Sequence, residues 1–240
     1  MNSIRIRTSG WHYKHWKGLF YPHDISDKDM LAYYREHFDT AEINNTFYQL
    51  PDKKTFIQWR EKVPANFVFA VKASRYITHM KKLKDPKETL VKFFSHIQAL
   101  EEQIGPILFQ LPPRWNFNAG RLKHFVDELP QGYRYAFEFR DKSWLNENVY
   151  EVLREHNMAL CIYDYAGYVS PKEATADFIY IRLHGPDGAY RGKYSQNELS
   201  GWAGAISVWA KQGKTIYCYF NNDQEGYAPQ NASQLLDMVS

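Results

Sequence analysis

Eight short runs of strand-forming residues, separated by segments that carry helical start signals, constrain this chain more than anything else in it. The runs are Ile4–Arg7, Thr40–Asn44, Phe67–Lys72, Ile107–Gln110, Tyr135–Arg140, Ala159–Tyr163, Phe178–Leu183 and Ile216–Phe220. Strand alternating with helix argues βα units on a parallel sheet, because parallel neighbours need a crossover between them. Eight such units argue an α/β fold of the TIM-type (β/α)8 barrel kind, and 240 residues suit one domain, residues 1–240, since such a barrel takes ~250 residues.

The helical segments announce themselves by their caps. Asp85-Pro86-Lys87-Glu88 reads as an N-cap, a proline at the first helical position and an acid in the first turn. Ser195-Gln196-Asn197-Glu198 is a capping box ahead of a stretch ending near Gly213. Asp52 is expected to cap a helix through Trp59, and Ser26 one through Phe38. Leu145–His156 and Pro229–Val239 supply two more. One unit breaks the pattern: only about a dozen residues, Tyr165 to Asp177, separate strands six and seven, near the minimum for a crossover. The sixth unit is therefore expected to be shortened or irregular. An open doubly wound sheet is the rival, but the first strand leads into Thr8-Ser9-Gly10-Trp11-His12, not the Gly-rich turn of a dinucleotide site. No cofactor is expected.

Side chains alternate across a strand, so each run can be divided into two faces. One face is apolar throughout. The other carries Arg7 and Ser9, Glu42 and Asn44, Lys72, Gln110, Glu138 and Arg140, Asp164, Arg182 and His184, and Asn221. In a parallel barrel the apolar face meets the helices, so the mixed face lines an interior that Val, Ile and Leu normally fill. Charges there must be paired, wetted or occupied by a ligand, because desolvating them unpaired costs several kcal/mol each. Many come late in their strands, at the end where barrel active sites sit. Arg7, Lys72, Arg140 and Arg182 outnumber Glu42, Glu138 and Asp164 by one, a balance that suits a phosphate, carboxylate or sulfate. A closed network of ion pairs, for example Arg7–Glu42 and Glu138–Arg182, is the plain structural alternative.

The loops beyond these strand ends add detail. Ser74–Lys84 contains Arg75, His79, Lys81, Lys82 and Lys84, either a solvated basic loop or part of a phosphate site. Trp11, Tyr13, Trp16, Phe20 and Tyr21, followed later by Phe47 and Tyr48, read as a small satellite core anchoring a long loop, with base stacking as the alternative. His184–Tyr194 holds three glycines and reads either as a mobile lid or as a turn cluster. No close spacing of Glu42, Glu138, Asp164 and His184 supports a metal, and no nucleophile elbow exists.

Composition excludes several classes. A net charge of +3 is too mild to indicate nucleic acid by itself. Cys161 and Cys218 both fall in apolar runs and read as buried thiols of a reducing compartment. No apolar run approaches the ~18 residues of a membrane span, and the opening Met1–Arg7 has no apolar signal core. A soluble cytoplasmic protein without a membrane partner is expected.

The motifs together resemble the YecE-like family, also catalogued as domain of unknown function seventy-two. The resemblance rests on Thr8-Ser9-Gly10-Trp11 with Tyr13, Trp16, Phe20, Tyr21 and Pro22, and on Glu42-Ile43-Asn44-Asn45-Thr46-Phe47-Tyr48. It continues through Phe69-Ala70-Val71-Lys72, Thr78-His79, Leu108-Phe109-Gln110-Leu111-Pro112-Pro113, Glu138-Phe139-Arg140 with Ser143-Trp144, Arg182-Leu183-His184-Gly185 and Phe220-Asn221-Asn222-Asp223. It implies a TIM-type barrel and assigns no activity, so no catalytic residue is carried over.

Three readings of the function follow from the residues. In the first, an anionic small molecule or phosphate-containing polymer is held by Arg7, Asn44, Lys72, Gln110, Arg140, Asp164, Arg182, Asn221 and Trp11. Glu138 and Glu42 would then act as acid and base and His184 as a proton shuttle, in hydrolase or lyase chemistry. In the second, the chain binds nucleic acid through its basic loop without chemistry of its own. In the third, it is a structural or partner-binding barrel with a paired interior.

Overall fold

The computed structural model describes residues 4–239. The parallel strands are β1 (Ile4–Thr8), β2 (Thr40–Ile43), β3 (Val68–Lys72), β4 (Ile104–Leu111), β5 (Tyr135–Phe139), β6 (Ala159–Tyr165), β8 (Phe178–Leu183) and β9 (Thr215–Phe220). A two-residue strand, β7 (Tyr168–Val169), pairs antiparallel with β6. The α-helices are α1 (Met30–His37), α2 (Asn45–Tyr48), α3 (Lys53–Glu61), α4 (Pro86–Ile97), α5 (Ala119–Asp127), α6 (Glu147–Glu155), α7 (Gln196–Lys211) and α8 (Tyr227–Val239). The sheet runs β1-β9-β8-β6-β5-β4-β3-β2, and a parallel bridge from Ser9 to Glu42 links the end of β1 with β2. Parallel strands alternating with helices in this order make a TIM-type (β/α)8 barrel.

The chain groups into two compact units. The first contains the residues up to Glu42, Ile162–Lys172 and those from Asp177 onward; the second contains Ile43–Cys161 and Glu173–Ala176. In the first unit β9 is paired on both sides, with Ile6 opposite Cys218 and Ile181 opposite Cys218 in register. Those residues are fully buried, the apolar face that the alternation required. The aromatic loop after β1 is a satellite core: Trp16, Tyr21 and Tyr34 are buried, and Phe20 stacks on Phe38 at 5.5 Å between ring centres. In the second unit the core is a column of rings. Phe109 stacks on Phe137 at 5.4 Å, Phe137 on Phe139 at 6.1 Å, and Phe139 on Trp144 at 5.1 Å.

The caps follow the sequence at several helices and depart from it at two. Asp52 accepts from the Thr55 backbone N–H at 2.8 Å, and Ser195 with Glu198 forms the capping box of α7. Asp85 does precede Pro86, but in the left-handed region (φ 49°) with no side-chain cap; its carboxylate takes Lys81 at 3.2 Å instead. Ser26 does not cap α1 either. Its hydroxyl bonds Asp29, and the helix begins only at Met30.

The sixth unit has no helix. Among residues 166–177 the chain turns through Ala166 (φ 52°) and Gly167 (φ 78°) and returns as β7. Two consecutive positive φ values suit a tight hairpin whose twist matches its strands. The Gly-rich segment after β8 is a turn cluster. Tyr190 N–H donates to the His184 carbonyl at 2.7 Å, and Asn222 Nδ2 donates to the Gly192 carbonyl at 2.9 Å. Gly185 sits at φ +109°, where a Cβ would collide with the Arg191 carbonyl. Gly185→Ala should therefore lose about 1–3 kcal/mol of stability, read as a lower urea midpoint with an unchanged slope.

Candidate functional site

The first unit encloses a charge centre. Glu42, from the end of β2, and Arg182, from β8, are 0% and 1% exposed. Arg182 donates through Nη2 to Glu42 Oε1 at 2.8 Å and through Nε to Oε2 at 3.0 Å. Tyr180 donates its hydroxyl to Oε2 at 2.6 Å, and Ser9 donates to Oε1. Both carboxylate oxygens are thus satisfied by a forked cation and two hydroxyls. Burial pushes the Glu42 carboxyl up, and the Arg182 guanidinium and the hydroxyls outweigh it, so the group stays below the usual carboxylate range. Arg7 does not pair with Glu42, as the alternation allowed. Its Nη2 lies 2.9 Å from Asp39, which Arg5 also bonds, because Asp39 opens β2 beside the β1 arginines.

Further along β8 and β9, His184 is fully buried, and Asn221 Nδ2 donates to its Nδ1 at 2.9 Å. The edges of Tyr165 and Tyr190 close on the imidazole at 5.4 and 5.5 Å. Since Tyr165 faces His184, Asp164 faces the other way. The alternation reading put Asp164 on the inner row; the structure puts it on the opposite face of β6, where Tyr194 Oη donates to Oδ2 at 3.2 Å. Trp11 is 8% exposed and anchors the aromatic loop through its carbonyl, which accepts from Tyr21 Oη.

The second unit holds a different cluster. Lys72, at the end of β3, places its ammonium 4.2 Å from the centre of the Phe47 ring. His79 meets the same ring edge-on at 5.0 Å and pairs through Nδ1 with the Thr78 hydroxyl at 2.9 Å. Glu138, fully buried in β5, bonds Arg140 Nε and accepts from the Cys161 thiol at 3.7 Å. Burial, then the charges of Lys72 and Arg75, push His79 down to about 4, with Glu138 opposing. The imidazole is therefore neutral at pH 7 with Lys72, Arg75 and Glu138 all in electrostatic range. Gln110 lies beside Glu138 in register, and Asn44 leads into α2, which carries Phe47. His79 was absent from the residues read off the strands. It lies in the loop after β3, where the basic Ser74–Lys84 segment and the Thr78-His79 motif are the sequence signals that point to it.

A family model described as "Protein of unknown function DUF72" matches residues 5–240. The chain belongs to the DUF72 family. Its relative YunF of Bacillus subtilis, a UPF0759 protein, is 24% identical over 98% of this chain and 94% of YunF. YecE of Escherichia coli K12, also a UPF0759 protein, is 32% identical over 111 residues, 46% of this chain and 41% of YecE. The crystal structure of a DUF72 family protein from Thermotoga maritima matches with a TM-score of 0.90 at 31% identity, covering 99% of both chains. One from Enterococcus faecalis matches with a TM-score of 0.82 at 21% identity, a likeness of fold alone. For this DUF72 chain the resemblance and the barrel are both established. Among the described residues, no trio of His, Cys, Asp and Glu is placed to hold a metal ion, and no helix is long and apolar enough to cross a membrane.

Two measurements check the electrostatics. Glu42→Gln leaves Arg182 buried against a neutral amide and should cost about 3–5 kcal/mol. Because the Glu42 carboxyl is depressed in the fold, its stabilisation is full above the ordinary carboxylate range and is lost as pH falls through the folded value. The wild-type advantage over Glu42→Gln should accordingly narrow in acid unfolding curves. His79 should titrate by NMR near 4, and Lys72→Met should move that midpoint upward. A native midpoint near 6.5, the ordinary histidine value, would contradict the enclosed geometry.

Proposed function

We propose that this DUF72 protein binds a small anion-bearing ligand, a phosphate or a carboxylate, at the cluster around His79 in the second unit. The observation that carries the reading is the meeting of Lys72 and His79 on the Phe47 ring, at 4.2 and 5.0 Å from its centre, with the exposed Arg75 in electrostatic range of the imidazole. Arg140 adds a third cation, one of whose donors is taken by Glu138. The charge left over after Glu138 is positive, and a phosphate or carboxylate repays it with charge-assisted hydrogen bonds. Lys72 is only 8% exposed, so an anion reaching it leaves water behind and gains accordingly.

Hydrolase or lyase chemistry on that anion would use His79 as the base, since it is neutral at pH 7. Glu138 would orient Arg140. Glu42 and His184 are both fully buried in the first unit and take no part in that step. Cys161 and Cys218, both buried as thiols, suit a reducing compartment and support a cytoplasmic location.

The test is calorimetric titration with inorganic phosphate at low salt. The wild-type protein should bind with a dissociation constant in the millimolar range or tighter, and Lys72→Met/Arg75→Ala should weaken binding by about tenfold or more, ~1.4 kcal/mol. Equal affinity in the double variant would remove the proposal.

A second reading, nucleic-acid association, is favoured by one further observation in the same unit. A cleft of about 410 Å³ is lined by Lys81, Lys82, Lys84 and Arg121, with Trp115 and Asn118 in its wall. Basic side chains beside a half-buried indole approach the combination that single strands use. Salt-dependent binding of a short single-stranded oligonucleotide, abolished by Lys81→Glu/Lys82→Glu, would support it; no binding at low salt would dismiss it.

A further inference from the structure

The helix missing from the sixth unit leaves a mark in the first unit. Where a crossover helix would cover the outer face of β6, the chain makes only the hairpin to β7. Between that hairpin, the loop after β8 and the first turns of α7 lies a cavity of about 280 Å³. Its wall includes Asp164, Val169, Lys172, Pro186, Glu198 and Trp202.

Asp164 is the unusual member. It is 8% exposed, its Oδ2 accepts from Tyr194 Oη, and its Oδ1 is buried with no hydrogen-bond partner. A carboxylate oxygen in that position forfeits its water without compensation, which costs more than a neutral group in the same place. Burial, opposed by the Tyr194 hydroxyl and reinforced by the like charge of Glu198, holds the Asp164 carboxyl above the usual range, as an uncompensated acid should be. Glu198 is differently placed, because Ser195 donates to it through both its backbone N–H and its hydroxyl in the capping box.

The rest of the wall says which ligand would answer that oxygen. The indole face of Trp202 already carries an ammonium: Lys172 Nζ stands 4.4 Å from the ring centre. Val169, 44% exposed on a two-residue strand, and Pro186 give the cavity apolar surface. Two carboxylates disfavour an anion. They also fall short of the six or more oxygens, at about 2.3–2.6 Å, that calcium gathers. A group with N–H donors, one positive charge and a short apolar tail meets every feature.

We propose that this cavity binds the primary ammonium group of a small alkylamine, with Asp164 Oδ1 accepting its N–H and Trp202 facing its charge. Lys172 is then the resident ammonium, which the ligand displaces from the indole. The proposal is independent of the anion site, which lies in the other unit, and phosphate binding there leaves it unaffected.

The experiment is titration of the intact protein with n-butylammonium chloride at constant ionic strength, read by calorimetry and by the Trp202 indole NMR resonance. Wild type should bind saturably with movement of that resonance. Lys172→Ala, which removes the competing ammonium, should bind several-fold tighter. Asp164→Asn should weaken binding about tenfold or more, as expected for losing a charge-assisted hydrogen bond. Tetramethylammonium, which keeps the charge but has no N–H, should bind about tenfold more weakly than butylammonium for the same reason. The proposal is overturned if neither wild type nor Lys172→Ala binds butylammonium, if Asp164→Asn binds it as well as wild type, or if tetramethylammonium binds equally. Should Asp164→Asn fail to fold, as near-ultraviolet circular dichroism would show, the Lys172→Ala gain and the tetramethylammonium comparison decide the matter.

Discussion

The Glu42–Arg182 pair is the interaction on which the first unit depends. Placing a carboxylate and a guanidinium in an interior usually filled by Val, Ile and Leu incurs desolvation costs of several kcal/mol per ion. The fold meets them by bringing four strands to one point. Glu42 comes from β2, Arg182 and Tyr180 from β8, and Ser9 from the end of β1, while β9 supplies Tyr219, which packs against Tyr180 at 5.4 Å and bonds the Thr40 hydroxyl at 2.9 Å. Neither the Ser9 nor the Tyr180 hydroxyl can be lost without taking a donor from Glu42. The pair therefore works as a constraint on register: a slip of one residue in β8 would point Arg182 away from Glu42 and expose both ions to an apolar medium.

That saturation separates the two units in chemical character. In the first, Arg5 and Arg7 are paired with Asp39 and Arg182 with Glu42, although the buried Arg7 Nε has no hydrogen-bond partner. In the second, Lys72, Arg75 and Arg140 share a neighbourhood with one buried carboxylate and one imidazole that burial keeps neutral. The same row of strand-end charges that looks uniform along the sequence thus divides between two clusters, one around Glu42 and one around Glu138. Only the partners of each charge reveal the division.

The barrel was largely legible in the sequence, because strand and helix periods differ and each of the eight parallel strands stands within a few residues of its expected run. What escaped were features set by tertiary partners. Asp85 has the residue type of a cap, yet its left-handed backbone turns the carboxylate toward Lys81. The alternation places Ile162 and Asp164 of β6 on the inner row, whereas Cys161 and Tyr165 are the residues that bond or face the inward Glu138 and His184. Tyrosine, however, is amphipathic and suits a polar interior, so hydropathy cannot decide the parity of such a strand. His79 is named in the sequence only as a member of the basic Ser74–Lys84 loop, because no period exists on a loop to place its side chain.

The sixth unit shows how a shortage of chain becomes a chemical feature. About a dozen residues is near the minimum for two connections and a helix that packs across two strands, and here the polypeptide returns through a positive-φ turn at Ala166 and Gly167 instead. The hairpin satisfies part of the backbone: Ser170 N–H donates to the Tyr163 carbonyl at 2.9 Å, and the Ser170 hydroxyl accepts from the Tyr163 N–H at 2.9 Å. It brings no side chain that replaces the helix face, and the outward residue of β6 at that level is an acid. An Ile or Val there would have been covered by any apolar neighbour without regard to direction. A carboxylate demands a donor for each oxygen, Tyr194 provides one, and the geometry of a two-residue strand leaves no second. The cavity beside Asp164 is thus a direct consequence of chain length acting on a residue whose needs are directional.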